Sequence, residues 1–169
     1  MRLERFIRDI PDFPKKGILF RDITPLLKDP RAFKETVNRL SKFIIKKPHY
    51  IMSAESRGFI FGASLAHKLG CGFIPVRKKG KLPYKTYRIS YTLEYGRETF
   101  EVHQDALKKN EKILIVDDLL ATGGTAQAIA RLAEKMEAKV VGVLFVIELT
   151  FLKGRDKLNK YKVHSLIKY

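Results

Sequence analysis

The sequence predicts an α/β fold with a parallel central sheet flanked by helices, and three observations carry that prediction. Ile113, Leu114, Ile115 and Val116 are consecutive β-favouring aliphatics with no polar alternation. Such a run suits a strand buried on both faces of a parallel sheet. Residues 50–54, 59–69 and 72–76 read as strand, helix and strand, the spacing of a parallel βαβ unit. A helical pattern over 125–137 and a further buried strand over 140–149 follow the 113–116 strand. The chain has 169 residues, enough for one domain with a real core and too few for two ordinary ones, so 1–169 reads as a single unit.

Taken in order, Leu3, Phe6, Ile7 and Ile10 fall at helical spacing and predict a short amphipathic helix over residues 2–9, ended by Pro11. Residues 11–25, punctuated by Pro11, Pro14, Gly17 and Pro25, predict an ordered loop with a short extended piece at 18–21. Asp29 followed by Pro30 is a cap and a first-turn proline. Phe33, Val37, Leu40 and Ile44 then mark one face of a helix to about residue 46. Gly70 stops the 59–69 helix. The 72–76 strand ends in a basic loop, Arg77 to Lys81. Residues 78–103 break the rhythm. Alternating β-prone stretches at 86–92 and 99–102 surround a turn near Tyr95 and Gly96, an excursion with no helix partner that predicts a mobile lid. A short last strand is expected over 162–167.

Composition narrows the functional classes. Hydrophobic residues are 45% and charged residues 31% of the chain, as in globular proteins. No apolar run approaches the ~20 residues of a membrane span, and the N-terminus lacks the apolar core of a secretory signal. Cys71 is the one cysteine, so no intrachain disulfide can form. A cytoplasmic protein is expected. The net charge of +16 fits a nucleic-acid binder, steering of polyphosphate substrates, or a lysine-rich surface without specific role.

Chemistry concentrates at strand ends, where ligands sit in open α/β sheets. Asp117 and Asp118 end the 113–116 strand, and Ala121, Thr122, Gly123, Gly124 and Thr125 follow as a loop leading into a helix. Glycines allow close backbone approach, and a helix start offers free N–H groups to an anion. Two acids before a phosphate cradle fit a ligand with a diol and a phosphate, although paired carboxylates also suit a divalent metal. Arg57 follows the 50–54 strand, and Arg77 and Lys81 follow the 72–76 strand, in position for a second phosphate group. The motifs G-x-x-x-x-G-K-[ST] and G-x-G-x-x-G are missing, which removes the main support for nucleoside-triphosphatase and dinucleotide readings. His49, His67, His103 and His164 are scattered without metal spacing.

The strand–acid–acid–cradle stretch resembles the signature of the type I phosphoribosyltransferases. The likeness runs nearly end to end and is to their adenine branch. It includes Phe20-Arg21-Asp22-Ile23-Thr24-Pro25, Ser56-Arg57-Gly58-Phe59, Gly80-Lys81-Leu82-Pro83, Leu93-Glu94-Tyr95-Gly96 and Leu152-Lys153-Gly154-Arg155. The resemblance implies the type I phosphoribosyltransferase fold, with an N-terminal hood over about 1–27 and a flexible loop over about 78–103. It implies transfer of 5-phosphoribosyl from phosphoribosyl diphosphate to N9 of adenine, giving AMP and diphosphate, with Mg²⁺ on the substrate and a homodimeric enzyme.

By the same resemblance, Leu19 and Arg21 read the adenine edge through their backbone, and Phe20 and Leu119 sandwich the ring. Arg57, Arg77 and Lys81 hold diphosphate. Residues 121–125 hold the 5-phosphate. Asp117 and Asp118 take the ribose hydroxyls, directly or through Mg²⁺, and Asp118 stabilises charge on the sugar. Glu94 relays a proton at the base, and Tyr95 covers the sugar. A phosphoribosyl-diphosphate-sensing regulator on the same fold would need a separate DNA-binding segment or a lost catalytic loop. This chain has Glu94 and no helix-turn-helix extension.

Overall fold

The computed structural model describes residues 1–93 and 96–169. Among them a seven-stranded sheet runs β5-β6-β4-β3-β7-β8-β9, and a two-stranded ribbon, β1 with β2, stands apart. The parallel part is β3 (Tyr50–Ala54), β4 (Gly72–Lys78), β7 (Lys112–Leu120), β8 (Lys139–Glu148) and β9 (Val163–Lys168). The expected parallel sheet is there. One edge of it is completed by an antiparallel hairpin, β5 (Thr86–Leu93) and β6 (Gly96–His103), with β6 paired to β4.

Alternation along the central strands fills two cores. Met52, Ile113, Ile115, Val143 and Phe145 pack with Ile129 and Leu132 of α4 (Gly124–Lys135) on one face. Ile51, Leu114, Val116, Leu144 and Val146 pack on the other face with Leu40 of α2 (Pro30–Lys42) and Phe61 and Leu65 of α3 (Arg57–Leu69). Successive side chains of a strand point to opposite faces, so a strand covered by helices on both sides has no polar position to alternate with.

Four expectations are corrected. Residues 2–9 are not a helix: a 3-10 turn, Leu3–Phe6, leads into β1 (Arg8–Pro11), antiparallel to β2 (Leu19–Asp22). Only Leu3 of the four periodic residues is fully buried. A helix of two turns is marginal by itself, whereas β2 supplies backbone partners and Arg21 pairs with Asp9 across the ribbon. The α2 helix stops at Lys42, short of residue 46, although Asp29 caps it as expected, accepting from Arg31 N and Ala32 N at 2.9 and 2.8 Å. A short helix, α1 (Thr24–Lys28), precedes it, with Asp22 bonded to Thr24 N and Oγ1. Asp117 and Asp118 do not end their strand, because β8 keeps pairing with β7 as far as Leu120. Nor does the 78–103 excursion lack a helix partner. Tyr87, Ile89 and Tyr91 of β5 pack on the core that α4 closes, and Lys135 Nζ lies 5.2 Å from the Tyr87 ring centroid.

Candidate active site

The carboxyl ends of β3 and β7 and the β4–hairpin edge surround an open cavity of about 710 Å³. From β3 the chain turns through Glu55 and Ser56, joined by a cis peptide bond, straight into α3, whose first residue is Arg57. The Arg57 guanidinium forms an ion pair with Asp118, its Nε 2.9 Å from Oδ2, and lies 5.1 Å from the Phe20 ring centroid. Arg57 thereby joins the hood to the acids. Gly58 is what lets α3 come this close, since a Cβ there would lie 2.6 Å from Asp117 Oδ1.

Asp117 and Asp118 both line the cavity and are 8% and 5% exposed. Burial raises the pKa of both carboxyls. The Asp118 charge raises Asp117 further, while Arg57 pulls Asp118 back down. Asp117 Oδ1 accepts the Asp118 N–H at 2.9 Å. Carboxylates desolvated this way gain from hydroxyl donors or a cation brought by a ligand.

Beyond β7, Gly123 adopts a left-handed φ of +80° and approaches Gly154 so closely that a Cβ would meet its carbonyl oxygen at 2.3 Å. The α4 helix begins at the next residue, and no side chain caps it. Its first-turn N–H groups and the positive end of its dipole are left to an anion. Thr125 stands in that first turn with its Oγ1 3.1 Å from Tyr91 Oη.

The basic segment differs from expectation. Arg77 and Lys78 are strand residues, because β6 pairs with them in register with Glu101 and Phe100. Glu55 Oε1 accepts from Lys78 N at 2.7 Å and from Arg77 Nε at 3.2 Å, so one carboxylate ties the ends of β3 and β4 together. Lys78 and Lys81 line the cavity, with Lys78 paired to Glu98 at 3.1 Å. Arg77 stands behind, also donating to Lys81 O at 3.4 Å.

The chain that forms this cavity is similar to known proteins over nearly its whole length. The family model for the phosphoribosyl transferase domain matches residues 26–168. The chain belongs to the phosphoribosyl transferase family. It is 57% identical over 170 residues to the adenine phosphoribosyltransferase of Brachyspira hyodysenteriae, with all of both chains covered. The crystal structure of adenine phosphoribosyltransferase from Thermoanaerobacter pseudethanolicus superposes with a TM-score of 0.96 at 52% identity, covering 99% of this chain and 98% of that one. The Saccharomyces cerevisiae enzyme, complexed with an imino-altritol bisphosphate and adenine, superposes at 0.91 with 43% identity over 97% and 96% of the two chains.

In this phosphoribosyl transferase the cavity gathers Arg57, Lys81, Asp117, Asp118, Leu119, Ala121 and Thr125. Phe20 reaches the site by way of Arg57 and meets Phe13 edge-on at 5.1 Å. Leu19 is exposed, and Arg21 turns to Asp9 and to the Tyr169 ring, 3.6 Å from its centroid. Glu94 and Tyr95 lie outside the described residues. None of the four histidines lines the cavity. Sequence reasoning assigned no role to Glu55, Lys78, Tyr91 or Glu98. For Tyr91 a signal existed, since Tyr87, Ile89 and Tyr91 recur at period two and share one strand face. For Glu55 and Lys78 none did, because their meeting depends on strand register.

Proposed function

We propose that the protein transfers the 5-phosphoribosyl group of phosphoribosyl diphosphate to N9 of adenine, forming AMP and diphosphate in purine salvage. The observation that carries this reading is the cavity itself. Buried Asp117 and Asp118 line it with Thr125 from the uncapped start of α4 and with Arg57, which lies over the hood residue Phe20. The full-length likeness to adenine phosphoribosyltransferases supports adenine as the base.

Residues 121–125 and the first turn of α4 bind the 5-phosphate, and Asp117 and Asp118 accept from the ribose hydroxyls. Arg57, Arg77 and Lys81 hold the diphosphate and stabilise the charge it gains on leaving. Glu55 keeps Arg77 and the Lys78 backbone in place for this task. The sugar passes through an oxocarbenium-like state, and the Asp118 carboxylate offsets its positive charge. Phe20 and Leu119 hold the adenine ring, with the Leu19 and Arg21 backbone at its edge. Glu94 manages the proton at N7 or N9, and Tyr95 covers the sugar.

The donor set suits Mg²⁺ carried by the substrate. Among the described residues no group of three or more His, Cys, Asp and Glu stands together, while Asp117 and Asp118 offer hard oxygen donors. Asp117 and Asp118 would hold the Mg²⁺, which would supply charge neutralisation for the leaving diphosphate. A cytoplasmic homodimer is part of the same reading. No helix of the described residues is long and apolar enough to cross a membrane, and light scattering tests the dimer. Incubation with phosphoribosyl diphosphate, Mg²⁺ and each purine separately tests the reaction: adenine should give AMP. Inosinate or guanylate as the sole product overturns the assignment.

A further inference from the structure

Tyr91 has no role in the reaction as described, yet it forms part of the cradle wall. Its hydroxyl lies 3.1 Å from Thr125 Oγ1. Its ring sits against Gly124, where a Cβ would come within 3.3 Å of Tyr91 Cδ2. The same ring stacks on Phe100 of β6, with centroids 5.5 Å apart and planes 21° apart. Tyr91 is therefore wedged between the hairpin and the first turn of α4. Burial raises the pKa of its hydroxyl, which stays protonated at neutral pH.

A threonine hydroxyl has one proton to give and two lone pairs to receive. If Thr125 donates to Tyr91, its hydroxyl has no proton left for an anion in the cradle. If Tyr91 donates to Thr125, the Thr125 proton is free to point at that anion. A phosphate selects the second arrangement, because a hydrogen bond to a charged acceptor is the stronger one. Gly124 leaves the ring its room: a Cβ there would press on Tyr91 Cδ2 at 3.3 Å and ask the ring to give by a few tenths of an ångström.

We infer that Tyr91 is a positioning residue for the 5-phosphate: by donating to Thr125 Oγ1 it aims the Thr125 hydroxyl at the phosphate and ties the hairpin to the occupied cradle. The inference rests on the transferase reading above and adds a residue to its phosphate site.

The test is a double-mutant cycle read by calorimetry with ribose 5-phosphate as the probe. Tyr91→Phe keeps the ring packed on Phe100 and Gly124 and removes only the hydroxyl. It should weaken ribose 5-phosphate binding about 3- to 10-fold, the loss expected for one net hydrogen bond. Thr125→Val should weaken binding at least as much. Tyr91→Phe should then add little on the Thr125→Val background, because it acts through Thr125. In steady state KM for phosphoribosyl diphosphate should rise with KM for adenine unchanged, a split that loss of packing alone does not produce. Additive effects in the cycle, or Tyr91→Phe affinity within twofold of wild type while wild type makes AMP, overturn the inference alone. A wild-type protein that neither binds ribose 5-phosphate nor makes AMP overturns the transferase reading and this inference together.

Discussion

Asp117 carries the sharpest single-residue consequence of the site. It is buried, it already accepts one N–H from its own chain, and its remaining oxygen capacity has ligand hydroxyls as the natural partners. Asp117→Asn keeps the size and the bond to Asp118 N but removes the charge. Loss of charge-assisted hydrogen bonds costs roughly 1.5–3 kcal/mol, so phosphoribosyl-diphosphate affinity should fall about 10- to 100-fold. Calorimetry that finds unchanged affinity removes Asp117 from the diol site. Glu94 is the corresponding test of chemistry. Glu94→Gln preserves shape and hydrogen bonding but not proton transfer, a role worth about 10²–10⁴-fold in rate. It should slow the chemical step in single turnover far more than it weakens adenine binding, since slow product release could hide the defect in steady state. A chemical step within about twofold of wild type excludes Glu94 as the proton relay. Both residues stood out in the sequence because each sits in a contiguous motif, and of the two the structure describes only Asp117, which lines the cavity. Glu55 was not, because its partners Arg77 and Lys78 lie on a different strand and only the pairing of β3 with β4 brings them to it.

Among the elements, β8 and the turn after it hold the cradle from outside. Glu148, at the end of β8 and 4% exposed, receives Arg155 Nε at 2.6 Å and a second guanidinium nitrogen at 2.7 Å, and also bonds Ser165 of β9. Arg155 donates in addition to Val163 O at 2.9 Å and directly follows Gly154, the residue on which Gly123 rests. Hydrogen bonds from Arg155 hold the Glu148 carboxyl below its ordinary pKa of 4.5. A carboxyl lowered on folding contributes stability above its unfolded value and loses it as pH falls through the folded value. Arg155→Met leaves the buried Glu148 without its guanidinium partner, keeping the bond from Ser165. Allowing for the partial exposure of Arg155, the cost at neutral pH is about 2 kcal/mol, a fall in Tm of about 4–8 °C for a chain this size. The gap between variant and wild type should narrow as pH falls from 4.5 through the still lower folded value, where wild-type Glu148 also becomes neutral. Calorimetric melts across pH 3–8 check the sign, and a gap that widens in acid contradicts it.

At the scale of the molecule the net charge of +16 asks for an explanation. Arg57, Lys78 and Lys81 line the cavity, and Arg77 stands behind it. Others, such as Lys109 with Glu137 and Arg39 with Glu35, are engaged in surface pairs. Surface pairs of this kind contribute little to stability, but a positive field raises the encounter rate with polyphosphate substrates. Duplex DNA should therefore bind only weakly and without sequence preference, its affinity falling steeply with salt. Titration of labelled duplexes between 50 and 200 mM salt checks this. Tight, sequence-selective binding at physiological salt would favour a regulator instead.

The sequence by itself determined the buried parallel strands, the Asp29 cap and the glycine-containing loop that leads into α4. Those features are set by residues adjacent in the chain: an unbroken aliphatic run, Asp29 before Pro30, and a threonine- and glycine-containing loop ahead of a helix. The tertiary structure decided where elements end and which neighbours they find. The segment 2–9 became a turn and a strand because β2 lay ready to pair with it. The strands β4 and β7 outran their apolar cores because β6 and β8 supplied partners further along. The 78–103 excursion found a helix after all, because the inward face of β5 meets α4 across the hairpin edge of the sheet. Each of these outcomes depends on hydrogen-bond and packing partners distant in sequence, and register, which local pattern does not encode, decides which side chains meet.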